Sequence, residues 1–388
     1  MAYVSPATEK FYLSREALIQ LGVISKNFPQ VGENSSSSFV EEDDAAAITP
    51  GERQENLAPC GHFIRTVPPG RPDTLPFKPT EENVPKMKDW LLRRYAASVL
   101  NKCKHQQLKG MTGPYLRLHV DPNATPVAHH KPVPIALHHE ERSHQDILDD
   151  VQMGVLEPVH EPSAWCHLMV LVTKPDGTPR RTVDLSPLNK QSARETHHVK
   201  PPFLQARSIP GNTYKSVTDA WNGYHSVLIH PDDHHLTTFI SPWGRFRHRM
   251  APQGATASGD RYTRRYDEII ADVPRKTKVV DDTAMWDEDL ETHWWRVIDY
   301  LELCGRNGIV LNPEKFQFCQ REIEFAGFVI SDTCIKPAHK FLEAIEKFPR
   351  PTSLTDVRSW FGLEILVWTG CRSVPTTFEF KSAFHMVR

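Results

Sequence analysis

The stretch KVVDDTAMW, residues 278–286, decides the fold because it sets two aspartates between two short β-prone runs. Such a pattern predicts a tight hairpin with Asp281 and Asp282 at its tip. Adjacent residues there point in different directions, so one carboxylate can bind a ligand while the other supports it. Three further double aspartates occur in the chain, and for an isolated pair a solvated turn is the commoner structure. The flanking runs therefore carry the prediction.

A further carboxylate, Asp219, ends the β-prone run YKSVT (214–218) and precedes AWNGYHSVLI (220–229). If the two strands are neighbours, their carboxylate-bearing tips meet at one sheet edge. Carboxylate and phosphate oxygens suit Mg²⁺, and two ions about 3.5–4 Å apart stabilise the attacking and leaving oxygens of phosphoryl transfer. The sequence thus predicts a metal site for phosphate chemistry, while spacing alone does not establish that the tips meet.

Size and composition restrict the class of protein. With 388 residues, 39% of them hydrophobic, the chain can bury a large core in two or three domains. Its seven cysteines have no CxxC spacing, which suggests neither a disulfide framework nor a zinc site. No stretch approaches the ~20 apolar residues of a membrane span, so no membrane partner is expected. The net charge of -2 requires any nucleic-acid site to be a local patch.

Strands and helices follow each other without regular alternation after residue 131, which predicts an α+β fold with an antiparallel sheet. We expect helices at about 140–153, 257–270 and 290–307, and strands at 167–173, 181–185, 214–218, 226–229, 236–240, 246–250, 278–280, 283–286 and 323–330. Upstream, helices are expected at 14–21 and 86–100.

Seven motifs stand in a fixed order along the chain. They are LVTKPDGTPRRTVDLSPLNK (171–190), SVTDAWNGYHSVLI (216–229), RMAPQGATASG (249–259), VVDD (279–282), GRNGIVLNPEKFQF (305–318), EFAGFVIS (324–331) and FPRPTSLTDVRSWFGL (348–363). In this order they resemble the fingers hairpin, first aspartate, PQG, double aspartate, following helix and lysine region, primer grip and connection of reverse transcriptases of gypsy-type LTR retrotransposons. Retroviral reverse transcriptases are more distantly similar. The resemblance extends from about residue 131 to 363.

The resemblance implies a right-hand polymerase with palm, fingers and an antiparallel palm sheet, its thumb and connection incomplete. Asp219, Asp281 and Asp282 would then be catalytic and hold two Mg²⁺ ions, with Mn²⁺ as a substitute. The implied partners are an RNA or DNA template with its primer and a dNTP; the oligomeric state stays open. Because no targeting signal is seen, an intracellular place, in a cytoplasmic particle or the nucleus, is expected.

The resemblance also assigns binding residues. Nucleotide binding falls to Lys174, Arg180, Ala220, Tyr224 and Gln253. Lys174 and Arg180 would hold the triphosphate, with Arg181 as the alternative if the hairpin is shifted by one residue. Tyr224 would lie under the sugar and exclude a 2′-hydroxyl; ordinary core packing is its rival role.

Two further assignments follow the same motifs. Lys315 would donate a proton to pyrophosphate, with a plain surface lysine as the equal alternative. Phe325, Ala326 and Gly327 would form the primer grip. The chain departs from the family at the double-aspartate motif, where Val279 stands in place of the aromatic residue that often begins it, and in the PQG region, at 255–256 and 260–262.

Four regions are expected along the chain. They are a remnant resembling the C-terminal tail of a retropepsin-like protease (1–30), a largely extended or disordered linker with a helix near 86–100 (31–130), fingers and palm (131–345) and an atypical start of the connection (346–388). No Asp-Thr-Gly or Asp-Ser-Gly triplet occurs, so a working aspartic protease is not expected. The acidic residues of an RNase H domain are missing too, which suggests a fragment of a polyprotein.

Some other clusters invite a functional interpretation. For 197–198 and 234–235, two His-His pairs, surface histidines are favoured over a metal site, and Cys60-Gly61-His62 is an isolated trio for which zinc is disfavoured. The basic and aromatic residues of 261–266 would either contact the template or form a solvated helix face. A catalytically inactive relic that keeps the fold, and a protease-derived scaffold, remain as alternatives to an active polymerase.

Overall fold

The computed structural model describes residues 2–4, 11–13, 57–174, 177–339, 343–344, 347–350, 352–353, 355–356 and 358–359. The chain divides into two units, Met1–Arg53 and Gln54–Arg388. In the first, strand β1 (Ala2–Val4) pairs antiparallel with β2 (Phe11–Leu13). The helix predicted at 14–21 lies outside the described residues.

The second unit contains the remaining elements. Its strands are β3 (Leu156–Val159), β4 (His167–Thr173), β5 (Pro179–Asp184), β6 (Tyr214–Asp219), β7 (Phe239–Ser241), β8 (Gly244–His248), β9 (Lys276–Val279), β10 (Asp282–Asp287), β11 (Gln317–Gln320), β12 (Ile323–Phe325), β13 (Phe328–Ile330) and β14 (Ile335–Pro337). Its α-helices are α1 (Val84–Arg94), α2 (Leu137–Gln152), α3 (Ser186–Asn189), α4 (Pro202–Arg207), α5 (Thr256–Ile269) and α6 (Leu290–Arg306).

A four-stranded antiparallel sheet lies at the centre, in the order β11-β6-β10-β9. Successive side chains of a strand point to opposite faces. On β6, Ser216 and Thr218 point towards α6, where they meet His293 at 2.7 Å and Tyr300 at 3.1 Å. The next residue, Val217, is buried on the opposite face. The alternation therefore gives the sheet two buried faces.

The opposite face is covered by a small sheet, β12-β13-β14. Val217 and Ala284 of the central sheet are buried in one cluster with Phe325 and Phe328. The predicted strand 323–330 is thus wrong in one respect: it is two strands joined by a two-residue turn, in which Ala326 has φ 50° and Gly327 φ 86°. Positive φ at both central residues is the type I′ pattern that matches strand twist.

A five-stranded sheet, β3-β8-β7-β4-β5, carries the hairpin of the first motif. Its β4 and β5 pair antiparallel from Leu168 with Asp184 to Thr173 with Pro179, as predicted. The pairing of β4 with β7 is parallel, so this sheet is mixed. Residues 226–229, predicted as a strand, form only isolated bridges after a short 3₁₀ helix.

Much of the predicted linker 31–130 packs into the main core. Met87, Leu91, Tyr95 and Leu116 are fully buried there, and the Tyr95 hydroxyl donates to Glu302 of α6 at 2.9 Å. Residues 57–130 have little regular secondary structure outside this helical stretch, but they are packed rather than disordered, because apolar partners from distant sequence cover a Pro-rich stretch. The helix expected at 86–100 is α1 and ends at Arg94.

Across the described ranges, each helix is too short or too polar to cross a membrane.

Candidate active site

Two of the predicted metal ligands face each other on neighbouring strands. Asp219 is the last residue of β6, Asp282 is the first of β10, and the two are paired in register. They share a sheet face because Val217 and Ala284, two residues away on each strand, are both buried on one side. Like charges in directly opposed positions destabilise a sheet, so the pair is retained at a cost in stability. Such a cost is typical of a functional position.

Asp281 lies in the β9–β10 turn, where the sequence predicted it. The turn residue before it, Val280, has φ 50°, a conformation that a β-branched side chain rarely adopts. The backbone carbonyl oxygen of Asp281 accepts the Ala220 N–H at 2.9 Å, which ties the turn to the end of β6. A side chain at Gly223 would come within 2.5 Å of the Asp281 carboxylate. The backbone of residue 223 therefore packs directly against this carboxylate.

The two aspartates of the turn hold their protons more tightly than usual. Burial, followed by the negative charge of Asp219, raises the pKa of Asp282 to about 6. Burial also raises the pKa of Asp281, partly offset by a contact from Tyr262, whose buried hydroxyl lacks a hydrogen bond of ordinary geometry. Raised carboxyl pKa values in one cluster mark a site that a cation would stabilise.

Lys315 is a cation in direct contact with this cluster. Its ammonium lies 2.8 Å from Asp219 Oδ2, and this hydrogen bond raises the pKa of Lys315. The side chain is 62% exposed, so solvent screens the ion pair. The side chain is thus exposed and also contacts a candidate metal ligand, so both roles predicted for Lys315 stay predictions.

The three aspartates form an all-oxygen donor set, which suits Mg²⁺ and Mn²⁺. Within the described residues, the one group of three ligand atoms lying within 4.8 Å of one another belongs to a different part of the chain. The aspartates are therefore spread more widely than the ligands of a single ion. Two ions require only that carboxylates converge in pairs, and the Asp219–Asp282 register meets that requirement.

A buried network, which no local sequence pattern predicts, supports the two aspartate-bearing strands. The Asp287 carboxylate of β10 accepts hydrogen bonds from His293 at 3.0 Å and from Arg296 at 2.7 Å. His293 Nε2 lies 2.7 Å from Ser216 Oγ of β6. This Ser-His-Asp connectivity is that of hydrolytic triads. Because all three residues are fully buried, no substrate reaches them and the network is structural.

Lys174, Arg180 and Gln253 lie around a single cavity of about 570 Å³ in the described structure. Arg180 is exposed and donates to Gln253 Oε1 at 3.0 Å. Arg181, the alternative to Arg180, instead makes an ion pair with Asp150 of α2. The cavity thus gathers three of the residues predicted to bind nucleotide, with Arg181 also in its lining, while the three aspartates do not line it.

The other two predicted nucleotide-binding residues stand beside the aspartates. Tyr224 is half-buried and packs edge-on against Tyr262 at 5.3 Å between ring centroids. Burial and then the charge of Asp281 raise the pKa of Tyr224, which places its ring near that carboxylate. Ala220 is 8% exposed, so it contributes backbone rather than a side-chain contact.

The predicted primer-grip residues form the turn between β12 and β13. Phe325 is buried against the central sheet, which leaves Ala326 and Gly327 at the turn itself. The Gly327 carbonyl accepts the Ala338 N–H at 2.8 Å. This hydrogen bond ties the turn to the residue that follows β14, while the role in primer binding stays a prediction.

The basic and aromatic residues of α5 serve packing. Tyr262 and Tyr266 are fully buried, so the hypothesis that they stack on template bases is wrong. Arg261 and Arg264 both pair with Glu195, at 2.9 and 3.4 Å. The two His-His pairs also make hydrogen bonds within the protein. One imidazole ring of pair 197–198 contacts a carboxylate, and one ring of pair 234–235 contacts a backbone carbonyl oxygen.

Residues 172–330 match the family model described as reverse transcriptase (RNA-dependent DNA polymerase). The chain is 25% identical to the retrovirus-related Pol polyprotein from transposon opus of Drosophila melanogaster over 238 residues, 60% of this chain and 23% of that protein. It is 24% identical to the transposon Tf2-3 polyprotein of Schizosaccharomyces pombe over 229 residues, 56% of this chain and 17% of that protein. The matched part thus spans less than a quarter of these relatives.

Solved structures show the same fold. A foamy viral protease-reverse transcriptase in complex with double-stranded DNA has a TM-score of 0.65 at 19% identity, over 76% of this chain and 54% of that chain. The same kind of protein in complex with an RNA/DNA hybrid has a TM-score of 0.63 at 20% identity, over 76% and 41%. The α+β fold is therefore that of a right-hand polymerase, with β11-β6-β10-β9 as palm sheet and β3-β8-β7-β4-β5 in the fingers. Over residues 172–330, this chain carries a reverse transcriptase domain of the kind found in retrotransposon polyproteins.

Proposed function

We propose that this chain is an RNA-directed DNA polymerase that transfers a nucleotide from a dNTP to a primer 3′-hydroxyl. The in-register pairing of Asp219 with Asp282, beside Asp281 in the adjoining turn, is the observation that carries the proposal. A structural turn would have no reason to oppose two carboxylates and bury a third nearby, since each raises the cost of ionising the others.

Asp219, Asp281 and Asp282 would hold two Mg²⁺ ions, with Mn²⁺ as a substitute, and the ions would stabilise charge on the attacking and leaving oxygens. Proton affinity and metal affinity compete at these carboxylates. Because the pKa of Asp282 is about 6, its carboxylate is largely free of its proton at neutral pH. The strands align the carboxylates, since their hydrogen-bonded register fixes the backbone positions from which the aspartate side chains extend.

Charged side chains of the fingers would bind the incoming nucleotide. Lys174 is a point charge and Arg180 a planar fork, and both suit the oxygens of a triphosphate. Gln253 already accepts a hydrogen bond from Arg180, so it would orient the guanidinium. Lys315, held 2.8 Å from Asp219, lies where it could donate a proton to the leaving pyrophosphate.

Tyr224 would support the sugar of the nucleotide. Its ring is held by edge-on packing with Tyr262, and an aromatic surface in that position leaves no room for a 2′-hydroxyl. The template and primer would lie across the palm sheet, with Ala326 and Gly327 contacting the primer. The foamy viral proteins of the same fold were solved with double-stranded DNA and with an RNA/DNA hybrid, which supports this class of partner.

Primer extension on an RNA template in Mg²⁺ tests the proposal. Asp281→Asn and Asp282→Asn should each lower the rate by about 100-fold or more, because lost metal ligands remove several kcal/mol of transition-state stabilisation. Asp232→Asn is the matched control: Asp232 belongs to another double aspartate, its side chain is 72% exposed, and its activity should equal that of the wild type.

A second candidate is an inactive fold that still binds nucleic acid, because the ligand atoms of the three carboxylates do not all lie within 4.8 Å of one another. Fluorescence anisotropy with a labelled RNA/DNA hybrid separates the two. Wild-type binding without extension, unchanged by Asp281→Asn, would establish the inactive candidate and reject polymerase activity. Extension that equals the wild-type rate in both aspartate variants would reject the assignment of these carboxylates.

Tyr224→Ala tests the sugar contact separately. The change should raise the efficiency of ribonucleotide incorporation relative to that of deoxyribonucleotides by about 10-fold or more, since a steric block is removed. Tyr224→Phe keeps the ring and should keep the discrimination. An equal loss of both activities would instead indicate that Tyr224 serves only core packing.

A further inference from the structure

Outside the polymerase site, three metal-ligating side chains meet at one point. One ligand atom each of Cys60, His62 and Cys103 lies within 4.8 Å of the others, and the two sulfur atoms are 3.7 Å apart. The cysteines are 43 residues apart in the sequence. Cys60-Gly61-His62 is thus not the isolated trio that the sequence indicated, because the fold brings a second cysteine to it.

The sequence around the second cysteine repeats the pattern of the first. Cys103-Lys104-His105, like Cys60-Gly61-His62, has a histidine two positions after its cysteine. The rings of His62 and His105 are 6.3 Å apart between centroids, and His105 Nδ1 lies 3.3 Å from the side chain of Gln152. His105 is exposed, so rotation of its side chain is unhindered by a core. Two sulfur and two nitrogen ligands are thereby available.

We propose that Cys60, His62, Cys103 and His105 form a structural zinc site. Two thiolates with two imidazoles in a tetrahedron are a ligand set typical of Zn²⁺. Four protein ligands leave no open position for a substrate or an activated water, so the ion would have a structural role. It would join residues 57–66 to residues 101–107.

A dense set of hydrogen bonds already holds the two segments together. The Arg65 guanidinium donates to the carbonyl oxygens of Asn101 at 3.0 Å, Cys103 at 2.9 Å and Gln106 at 3.2 Å. In return, the Asn101 and Gln106 amides donate to the Phe63 carbonyl at 2.9 and 2.8 Å. Supporting contacts of this kind orient metal ligands in proteins.

A backbone N–H lies close to the sulfur of each cysteine. Gly61 adopts φ +78°, and this turn lets a hydrogen bond from the backbone of His62 reach Cys60. At the second cysteine, the His105 backbone nitrogen lies 3.4 Å from Cys103 Sγ. The two segments therefore hold their sulfur atoms in the same way, and backbone contacts of this kind orient metal ligands.

The site would stabilise the junction between the fingers and the palm. Lys104, between the two ligands of the second segment, lies 3.4 Å from Asp149 of α2. Its neighbour Lys102 makes an ion pair with Glu314, next to Lys315. Ion pairs therefore tie this segment to α2 and to the residue next to Lys315, and a bound metal ion would further restrict its motion.

Metal analysis of the full-length chain tests the proposal. Protein purified under reducing conditions, stripped with a chelator and reloaded with ZnCl₂ should contain about one zinc ion per chain. Reloaded with CoCl₂, it should show the visible absorption of tetrahedral Co²⁺ and a thiolate-to-metal charge-transfer band. Cys60→Ser, His62→Asn, Cys103→Ser and His105→Asn should each abolish or strongly weaken binding. Cys334→Ser, a change at another half-buried cysteine, should bind as the wild type does.

Each other result decides against the proposal or a part of it. Reduced wild-type protein that binds no Zn²⁺ or Co²⁺ would overturn it, as would a Cys60–Cys103 disulfide found by mass spectrometry in freshly isolated protein. Full binding by His105→Asn would remove His105 from the ligand set. If a cysteine variant fails to fold, zinc release from the wild type by a thiol reagent provides the answer, since release must accompany modification of Cys60 and Cys103.

Discussion

Replacing Asp287 by asparagine should destabilise the palm severely, although the change preserves the shape of the side chain. Asp287 is fully buried at the end of β10 and binds Arg296 through both of its oxygens at 2.7 Å. It also accepts a hydrogen bond from His293, which contacts Ser216 of β6. One carboxylate therefore holds two central strands and α6 together.

The size of the effect follows from burial. Breaking a buried ion pair by removing one charge costs about 3–5 kcal/mol, because the remaining charge stays desolvated. Asparagine retains one acceptor oxygen, so about 3 kcal/mol is expected for Asp287→Asn. Asp299→Asn, a change on the helix α6 that carries Arg296, is the matched control. Asp299 also binds an arginine through both oxygens, at 2.8 and 2.9 Å, but both side chains are about half exposed and about 0–1 kcal/mol is expected.

Urea unfolding followed by circular dichroism measures both variants against the wild type. The midpoint of Asp287→Asn should fall far below that of Asp299→Asn, without a change in the slope. The difference should also depend on pH. Although burial opposes it, hydrogen bonds from His293 and Arg296 lower the pKa of Asp287 below 3.8. The stability that this carboxylate contributes is thus present above about pH 4 and is lost as the pH falls towards its folded-state pKa.

Equal destabilisation by the two variants would refute this reasoning, because burial would then have no part in the cost. A loss of less than about 1 kcal/mol for Asp287→Asn would refute it as well. A third result is diagnostic of the histidine: if Asp287→Asn loses further stability between pH 7 and pH 5, protonation of His293 has placed a second positive charge beside Arg296 with no carboxylate to balance it.

Three further predictions concern the aspartate turn. Gly223→Ala should reduce primer extension by about 10-fold or more, because the added Cβ would lie 2.5 Å from the Asp281 carboxylate. Gly259→Ala is the control: its Cβ would lie 3.7 Å from the nearest atom, so this variant should extend primers normally. Val280→Gly should keep or raise the free energy of unfolding in denaturant titrations. Glycine removes the strain of valine at φ 50°, and this gain offsets the about 0.5–1 kcal/mol that the greater backbone freedom of glycine in the unfolded chain costs. A loss above about 2 kcal/mol would contradict this. In metal-free buffer, Asp282→Asn should raise the melting temperature above about pH 6 and leave it unchanged near pH 4. Burial and a neighbouring carboxylate raise the pKa of Asp282 to about 6, so ionisation of this side chain above that pH lowers the stability of the folded wild type. An unchanged melting temperature at neutral pH would show that ionised Asp282 does not destabilise the fold.

Local patterns were sufficient to predict the strands that carry the site. The runs on either side of Asp281 and Asp282 are short and β-prone, and the structure makes them β9 and β10. Where the signal was local but incomplete, the prediction failed in detail. Residues 323–330 have the sequence of one apolar strand, yet Ala326 adopts a positive φ, which an alanine in the sequence does not predict.

Contacts between distant parts of the chain were beyond such patterns. Nothing in the sequence near Asp287 indicates that Arg296 and His293 will enclose it, since burial is decided by the packing of α6 on the sheet. The same holds for Cys60 and Cys103, whose 43-residue separation hides their contact. Function-bearing residues on one hairpin were predictable, whereas the networks that hold them were not.

The buried networks explain how the palm sheet tolerates opposed carboxylates. Asp219 and Asp282 lie at one end of the paired strands β6 and β10, while Tyr214 is opposite Asp287 at the other end. Five residues of strand, about 17 Å, separate the two ends. At the far end Lys215, fully buried, donates to two carbonyl oxygens and to Asp332 at 2.9 Å. Because hydrogen bonds and ion pairs fix the register there, repulsion at the near end cannot slide one strand past the other. The carboxylates therefore stay paired in register. In this arrangement a divalent cation bound between them would receive the largest electrostatic stabilisation.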